Sequence, residues 1–138
     1  MSHGCKAVVI FCMDYRLNLL ERARLLEEAG YPASSYDLLS FAGAGKDYAT
    51  ADPVGKQFIA KQIKIAKDLH GVQEVVVICH DNCGAYGIVD PDEEHATQSS
   101  HLTQLGGDIK KDFDLDIKSF IIKGTPTGQL KLVEVAVS

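Results

Sequence analysis

Two short segments hold the side chains best suited to chemistry. They are Cys12-Met13-Asp14-Tyr15-Arg16 and His80-Asp81-Asn82-Cys83-Gly84. If the first stays extended, Cys12, Asp14 and Arg16 face the same way, because side chains alternate along a strand. His80 and Cys83 are three apart in a turn, a spacing that lets both reach one ion. Two thiolates and one imidazole form a borderline-soft tetrahedral set that suits Zn2+. A fourth position is left for water, or for a carboxylate that occupies it reversibly. Arg16 beside Asp14 keeps the carboxylate ionised. A bidentate guanidinium also fixes its direction, which a lysine would not. Each segment alone reads equally well as structure: Cys12 as a small buried hydrophobe, Asp14 and Arg16 as an ion pair at a helix start, His80 as a turn residue.

Positioning these groups requires strands that end where the segments begin. Lys6–Phe11 is short, β-branched and almost wholly apolar, as a strand covered on both faces should be. Leu17–Ala29 follows with Leu19, Leu20, Ala23 and Leu26 at helical spacing, and Gly30 and Pro32 end it. Tyr36–Phe41 reads as a second strand and Phe41–Gly45 as a loop. Asp52-Pro53 starts a second helix with Val54, Phe58, Ile59, Ile63, Ala66 and Leu69 on its apolar face, ended by Gly71. Val72–Cys79 carries the strongest buried-strand signal. Asp90-Pro91-Asp92-Glu93 starts a third helix, which Gly106-Gly107 interrupts or bends. Ser119–Lys123 and Leu130–Val137 are the last strands. Gly124–Gly128 between them is too short for a helical crossover, so they form an antiparallel hairpin.

Strands alternating with helices give an α/β fold with a mainly parallel sheet of about five strands, helices on both faces and an antiparallel last strand. Such sheets bind ligands beyond the carboxyl ends of their strands, where strand order reverses. Cys12 and His80 lie at two such ends.

The chain has 138 residues, the length of one domain, and no linker or repeat divides 1–138. Apolar residues make up 46% and charged residues 24%, which excludes a disordered or fibrous chain. The longest apolar runs, Ala7–Met13 and Val75–Cys79, fall far short of the ~20 residues that span a bilayer. No signal peptide precedes the first strand, so a cytoplasmic protein is expected. A net charge of −5 without a basic run argues against nucleic acid and anionic lipid as partners. Cys5, Cys12, Cys79 and Cys83 are then thiols or metal ligands rather than disulfides.

The pairing of Cys12-x-Asp14-x-Arg16 with His80-x-x-Cys83-Gly84 resembles the zinc signature of the β-class carbonic anhydrases. The Gly124–Gly128 hairpin resembles that family's closing strand pair. The resemblance implies Zn2+ held by Cys12, His80 and Cys83. It implies an Asp14–Arg16 dyad, in which Asp14 takes the fourth zinc position in a closed state and turns to Arg16 in an open one. It implies reversible hydration of carbon dioxide to bicarbonate by a zinc-bound hydroxide, in a homodimer or higher homo-oligomer. Gly43 and Gly45 read as permitting a tight turn near the metal, and Gly43, Gly45 and Gly84 as pocket-loop residues. Set against that resemblance, Ser40-Phe41-Ala42-Gly43 stands where the family's Arg-Asn-Ala-Gly segment is expected, and the arm that wraps a partner subunit is not expected ahead of a first strand entered by residue 6. A hydrolase of carbonyl sulfide or carbon disulfide, or a non-catalytic domain with Asp14 permanently on the metal, uses the same ligands.

Other candidates carry less. Ala44-Gly45-Lys46-Asp47 lacks the first glycine and the hydroxyl residue of a phosphate loop. Cys79 continues a core strand and Cys5 is assigned no role. His95 and His101, six apart on a helix, share no face and are expected in solvent. His70 suits a helix C-terminus.

Overall fold

A computed structural model describes residues 3–136. The strands are β1 (Ala7–Cys12), β2 (Tyr36–Phe41), β3 (Glu74–His80), β4 (Asp116–Lys123) and β5 (Lys131–Val135). The helices are α1 (Leu19–Glu28), α2 (Lys46–Ala49), α3 (Pro53–His70) and α4 (Pro91–Phe113). All five strands join one sheet in the order β2-β1-β3-β4-β5. The β1/β2, β1/β3 and β3/β4 pairs are parallel and β4/β5 is antiparallel. The mixed α/β sheet with its closing hairpin is therefore the one read from the sequence. Strand order reverses between β1 and β3, which places the switch point where both chemical segments begin.

Every residue of β1 is buried, and so are Val75–His80 of β3. Alternation divides their side chains between two layers. Val8, Ile10, Val75 and Val77 pack with Ile59 and Ile63 of α3 and Leu102, Leu105 and Ile109 of α4. Ala7, Val9, Phe11, Val76 and Ile78 pack with Leu25 and Leu26 of α1, Tyr31, Phe120 and Ile122. Removing one such leucine or isoleucine to alanine costs about 2–5 kcal/mol.

Helix starts follow local chemistry. Asp52 accepts from the Gly55 N–H ahead of Pro53, and Asp90 accepts from the Glu93 N–H ahead of Pro91. Gly71 closes α3 at φ 60°.

Several boundaries and faces differ from the sequence reading. α1 begins after an Asn18 cap, and Leu17 is buried in the preceding turn. Leu19, Leu20 and Ala23, read as the apolar face, are exposed; Arg22, Leu25 and Leu26 face inward. The cause is Arg22, whose guanidinium bonds the Leu17 and Cys12 carbonyls and Ser40 Oγ. Val54, Phe58 and Leu69 of α3 are also exposed. α4 runs unbroken through Gly106-Gly107, with Gly106 on its buried face. β4 starts three residues before Ser119, and α2 was not anticipated. Val137, read as the end of β5, lies outside the described residues. No helix among the described residues is long and apolar enough to cross a membrane.

Candidate metal centre

Cys12 is the last residue of β1 and His80 the last of β3. Both strand ends are buried, so neither side chain has freedom to leave the switch point. Cys83 arrives from the turn that follows β3, where Asn82 adopts a left-handed φ of 54°. The ligand atoms of Cys12, His80 and Cys83 all lie within 4.8 Å of one another. The two sulfurs are 3.9 Å apart. All three residues are at most 4% exposed.

The imidazole of His80 is oriented by its Nδ1, which sits 2.7 Å from the Asp81 carbonyl and 3.3 Å from Thr125 Oγ1. A proton on Nδ1 donated to that carbonyl leaves a lone pair on Nε2. Nε2 is buried and has no hydrogen-bond partner among the described residues. A buried nitrogen without a partner is costly, and a cation between it and two sulfurs would satisfy it. The two thiols share their protons unequally. The bond from Cys83 pulls Cys12 down from its ordinary value and pushes Cys83 up. Burial works to lower His80, but the neighbouring Cys12 outweighs it and raises the imidazole. The cluster thus favours negative charge on sulfur opposite positive charge.

Asp14 and Arg16 stand at the mouth. Arg16 Nε donates to Asp14 Oδ1 at 3.0 Å, and a terminal nitrogen donates to Oδ2 at 2.8 Å. The Arg16 backbone N–H adds a third bond to Oδ1 at 2.9 Å. Arg16 also donates to Asn82 Oδ1 and the Asn82 carbonyl, which ties the two chemical segments together. The guanidinium holds the Asp14 carboxyl down at about 2. Asp14 Oδ2 is 3.8 Å from His80 Nε2, at the edge of the ligand triangle. Asp14, Arg16, Asn82, Cys83 and Gly84 line a groove of about 440 Å³ together with Ile88 and Val89.

A family model described as "Putative carbonic anhydrase" matches residues 2–115. The chain belongs to this carbonic anhydrase family. A curated relative, an uncharacterised protein of Rickettsia conorii, is 27% identical over 115 residues, or 82% of this chain. The match spans 60% of that relative's length. Among solved structures, a carbonic anhydrase from Glaciozyma antarctica is similar with a TM-score of 0.61 and 18% identity, covering 99% of this chain and 85% of that one. A β-carbonic anhydrase of Trichomonas vaginalis gives 0.57 and 13%, covering 99% and 87%. The fold is that of the β class, and at these identities the likeness is one of fold.

The loop after β2 passes close to the cluster. Gly43, at φ 75°, brings its N–H to 3.4 Å from Cys12 Sγ. The tight turn uses Gly43 and Ala44, both at positive φ, rather than Gly45. Gly45 lies against the core: a Cβ there would come within 2.6 Å of Leu105 Cδ2. Its lack of a side chain serves packing, which corrects its reading as a turn glycine of the pocket. Gly84 lines the groove with open space around it. At the end of β2, Ser40 Oγ accepts from Arg22 at 3.2 Å.

Sequence reasoning missed the groups that hold the ligand loop. Glu94, 4% exposed on the first turn of α4, accepts from the Asn82 and Cys83 N–H groups at 2.7 and 2.9 Å. Gln98 donates to the His80 carbonyl at 2.8 Å. Asp81 accepts from the Gly124 and Thr125 N–H groups and so clamps the closing hairpin onto β3. The available signal was spacing: Glu94 and Gln98 are four apart and continue the face of Leu102, Leu105 and Ile109. His101, expected in solvent, is half-buried with Nδ1 3.0 Å from the Tyr86 hydroxyl.

Proposed function

We propose that this protein binds Zn2+ through Cys12, His80 and Cys83 and catalyses the reversible hydration of carbon dioxide to bicarbonate. The observation that supports it is the convergence of two sulfurs and the lone pair of a buried, unpartnered imidazole nitrogen within 4.8 Å, beside an arginine-held carboxylate. Bound there, zinc supplies Lewis acidity that brings the pKa of a coordinated water close to neutrality.

The chain's own residues do the rest. The Asp81 carbonyl fixes the His80 tautomer that presents Nε2. Arg16 keeps Asp14 ionised and aims it, so that Asp14 accepts a hydrogen bond from the attacking oxygen and orients its lone pair toward the substrate carbon. The same carboxylate, 3.8 Å from Nε2, is the group that can close the fourth metal position. The groove over Gly84 admits a small neutral substrate and releases an anion past Arg16. Exposed Met13, Tyr15, Leu19 and Leu20 lie close to this mouth in sequence and support a homodimer or higher oligomer.

The test is Asp14→Ala. Its carbon dioxide hydration should fall by about 10–100-fold while cobalt substitution still gives a two-thiolate absorption band. Loss of that band would make Asp14 an obligatory ligand and favour a non-catalytic, permanently closed centre. Unchanged turnover would remove Asp14 from the mechanism.

A further inference from the structure

A second group of metal-ligating side chains sits at the other end of the sheet. Cys5 precedes β1, Asp37 is the second residue of β2 and His70 ends α3. Cys5 and Cys12 are seven steps apart along the chain, about 23 Å when extended. The cluster is therefore no part of the first centre. The donor atoms of Cys5, Asp37 and His70 lie within 4.8 Å of one another, and all three residues are half-buried. His70 Nδ1 is 2.6 Å from Asp37 Oδ2. The Cys5 N–H donates to the His70 carbonyl at 3.1 Å, which fixes the cysteine beside the histidine. His3, exposed, leans its ring on His70 with centroids 4.9 Å apart.

We propose that Cys5, Asp37 and His70 form a second binding site for a borderline divalent cation of the zinc class, with His3 or water as fourth ligand. One sulfur, one or two imidazoles and one carboxylate are a donor set of the kind zinc takes. In a tetrahedral zinc site, nitrogen and oxygen ligands stand about 3.3 Å apart, given metal–ligand bonds of 2.0–2.1 Å. The His70–Asp37 pair need open by less than about 1 Å to admit the ion. Binding ties the entry of β1, the edge strand β2 and the end of α3 into one unit. The site is structural: it is remote from the groove and contacts no group of the first centre.

The test is zinc stoichiometry of the tag-free full chain, measured by competition with a chromophoric chelator, together with cobalt spectra. The wild type should bind two ions and Cys5→Ala one, with the remaining cobalt ion keeping its two-thiolate band. His70→Gln should do the same and guards against a fault peculiar to the cysteine variant. Thermal melting should show zinc-dependent stabilisation that each variant halves or more. A single ion in the wild type that shows the two-thiolate band, or two ions in both variants, would overturn the proposal. Failure of the first centre reads differently: it removes the two-thiolate band and leaves a one-thiolate spectrum that Cys5→Ala abolishes.

Discussion

Glu94→Ala should cost far more than a helix-surface change, because Glu94 is what fastens the ligand loop to α4. Its carboxylate accepts two backbone N–H groups, from Asn82 and Cys83, in a buried setting. Alanine would leave both donors unsatisfied, at about 1–3 kcal/mol each. Relief from burying a charge returns part of this, so a net loss of about 2–4 kcal/mol is expected. Glu94→Gln keeps one acceptor and should lose about half as much. Glu93→Ala, one residue away and exposed, should stay within about 0.5 kcal/mol of the wild type. Urea unfolding of metal-free protein measures these values apart from the folding energy that a metal adds. Zinc affinity, measured separately, should drop by about 10–100-fold in Glu94→Ala, since Cys83 loses its anchor. If Glu94→Ala unfolds at the same urea concentration as Glu93→Ala and binds zinc like the wild type, the loop is held by something else and the reasoning fails.

Further expectations concern the closing hairpin and the α4 histidine. Gly124 sits at φ 92°, and a Cβ there would come 2.1 Å from the Gln129 carbonyl oxygen, so Gly124→Ala should lose at least about 2 kcal/mol. Gly128, at φ 80° with open space around it, is the control, and its alanine variant should lose only about 1 kcal/mol by the same urea measurement. Burial, and then the Lys46 charge, lower His101 from its ordinary value of 6.5. Its folded pKa being depressed, the unfolded chain takes up the proton first, so its stability contribution is complete above pH 6.5 and is lost as pH falls through the folded value. Denaturation midpoints of the wild type should therefore decline through that acid window more steeply than those of His101→Gln; parallel profiles would show that His101 does not titrate on unfolding.

The parts of the molecule legible in the sequence are those fixed by local rules. β1 and β3 are buried on both faces, so their apolar runs announce them without periodicity. Asp52-Pro53 and Asp90-Pro91 mark helix starts because capping is a short-range hydrogen bond. That Cys12, His80 and Cys83 meet was legible because their types and the strand ends that carry them both point to one place. What escaped depends on partners distant in sequence. Leu19 and Leu20 looked like core, but Arg22 reaches the Cys12 carbonyl and Ser40 and rotates α1 away from that face. Glu94 drew no notice in the sequence, and its burial follows only from the loop that lands on it. Gly45 looked like a turn glycine, whereas Leu105, sixty residues on, sets its need for no side chain. The Cys5–Asp37–His70 group spans three elements and has no spacing signature.

If the chain is a zinc enzyme acting on carbon dioxide, stopped-flow hydration will show it. The protein should carry confirmed zinc at Cys12, His80 and Cys83 and be scanned from acidic to alkaline pH. A rate above buffer is expected that rises with pH and vanishes in Cys83→Ala. No rate above buffer at any pH, with that centre fully loaded, would contradict it.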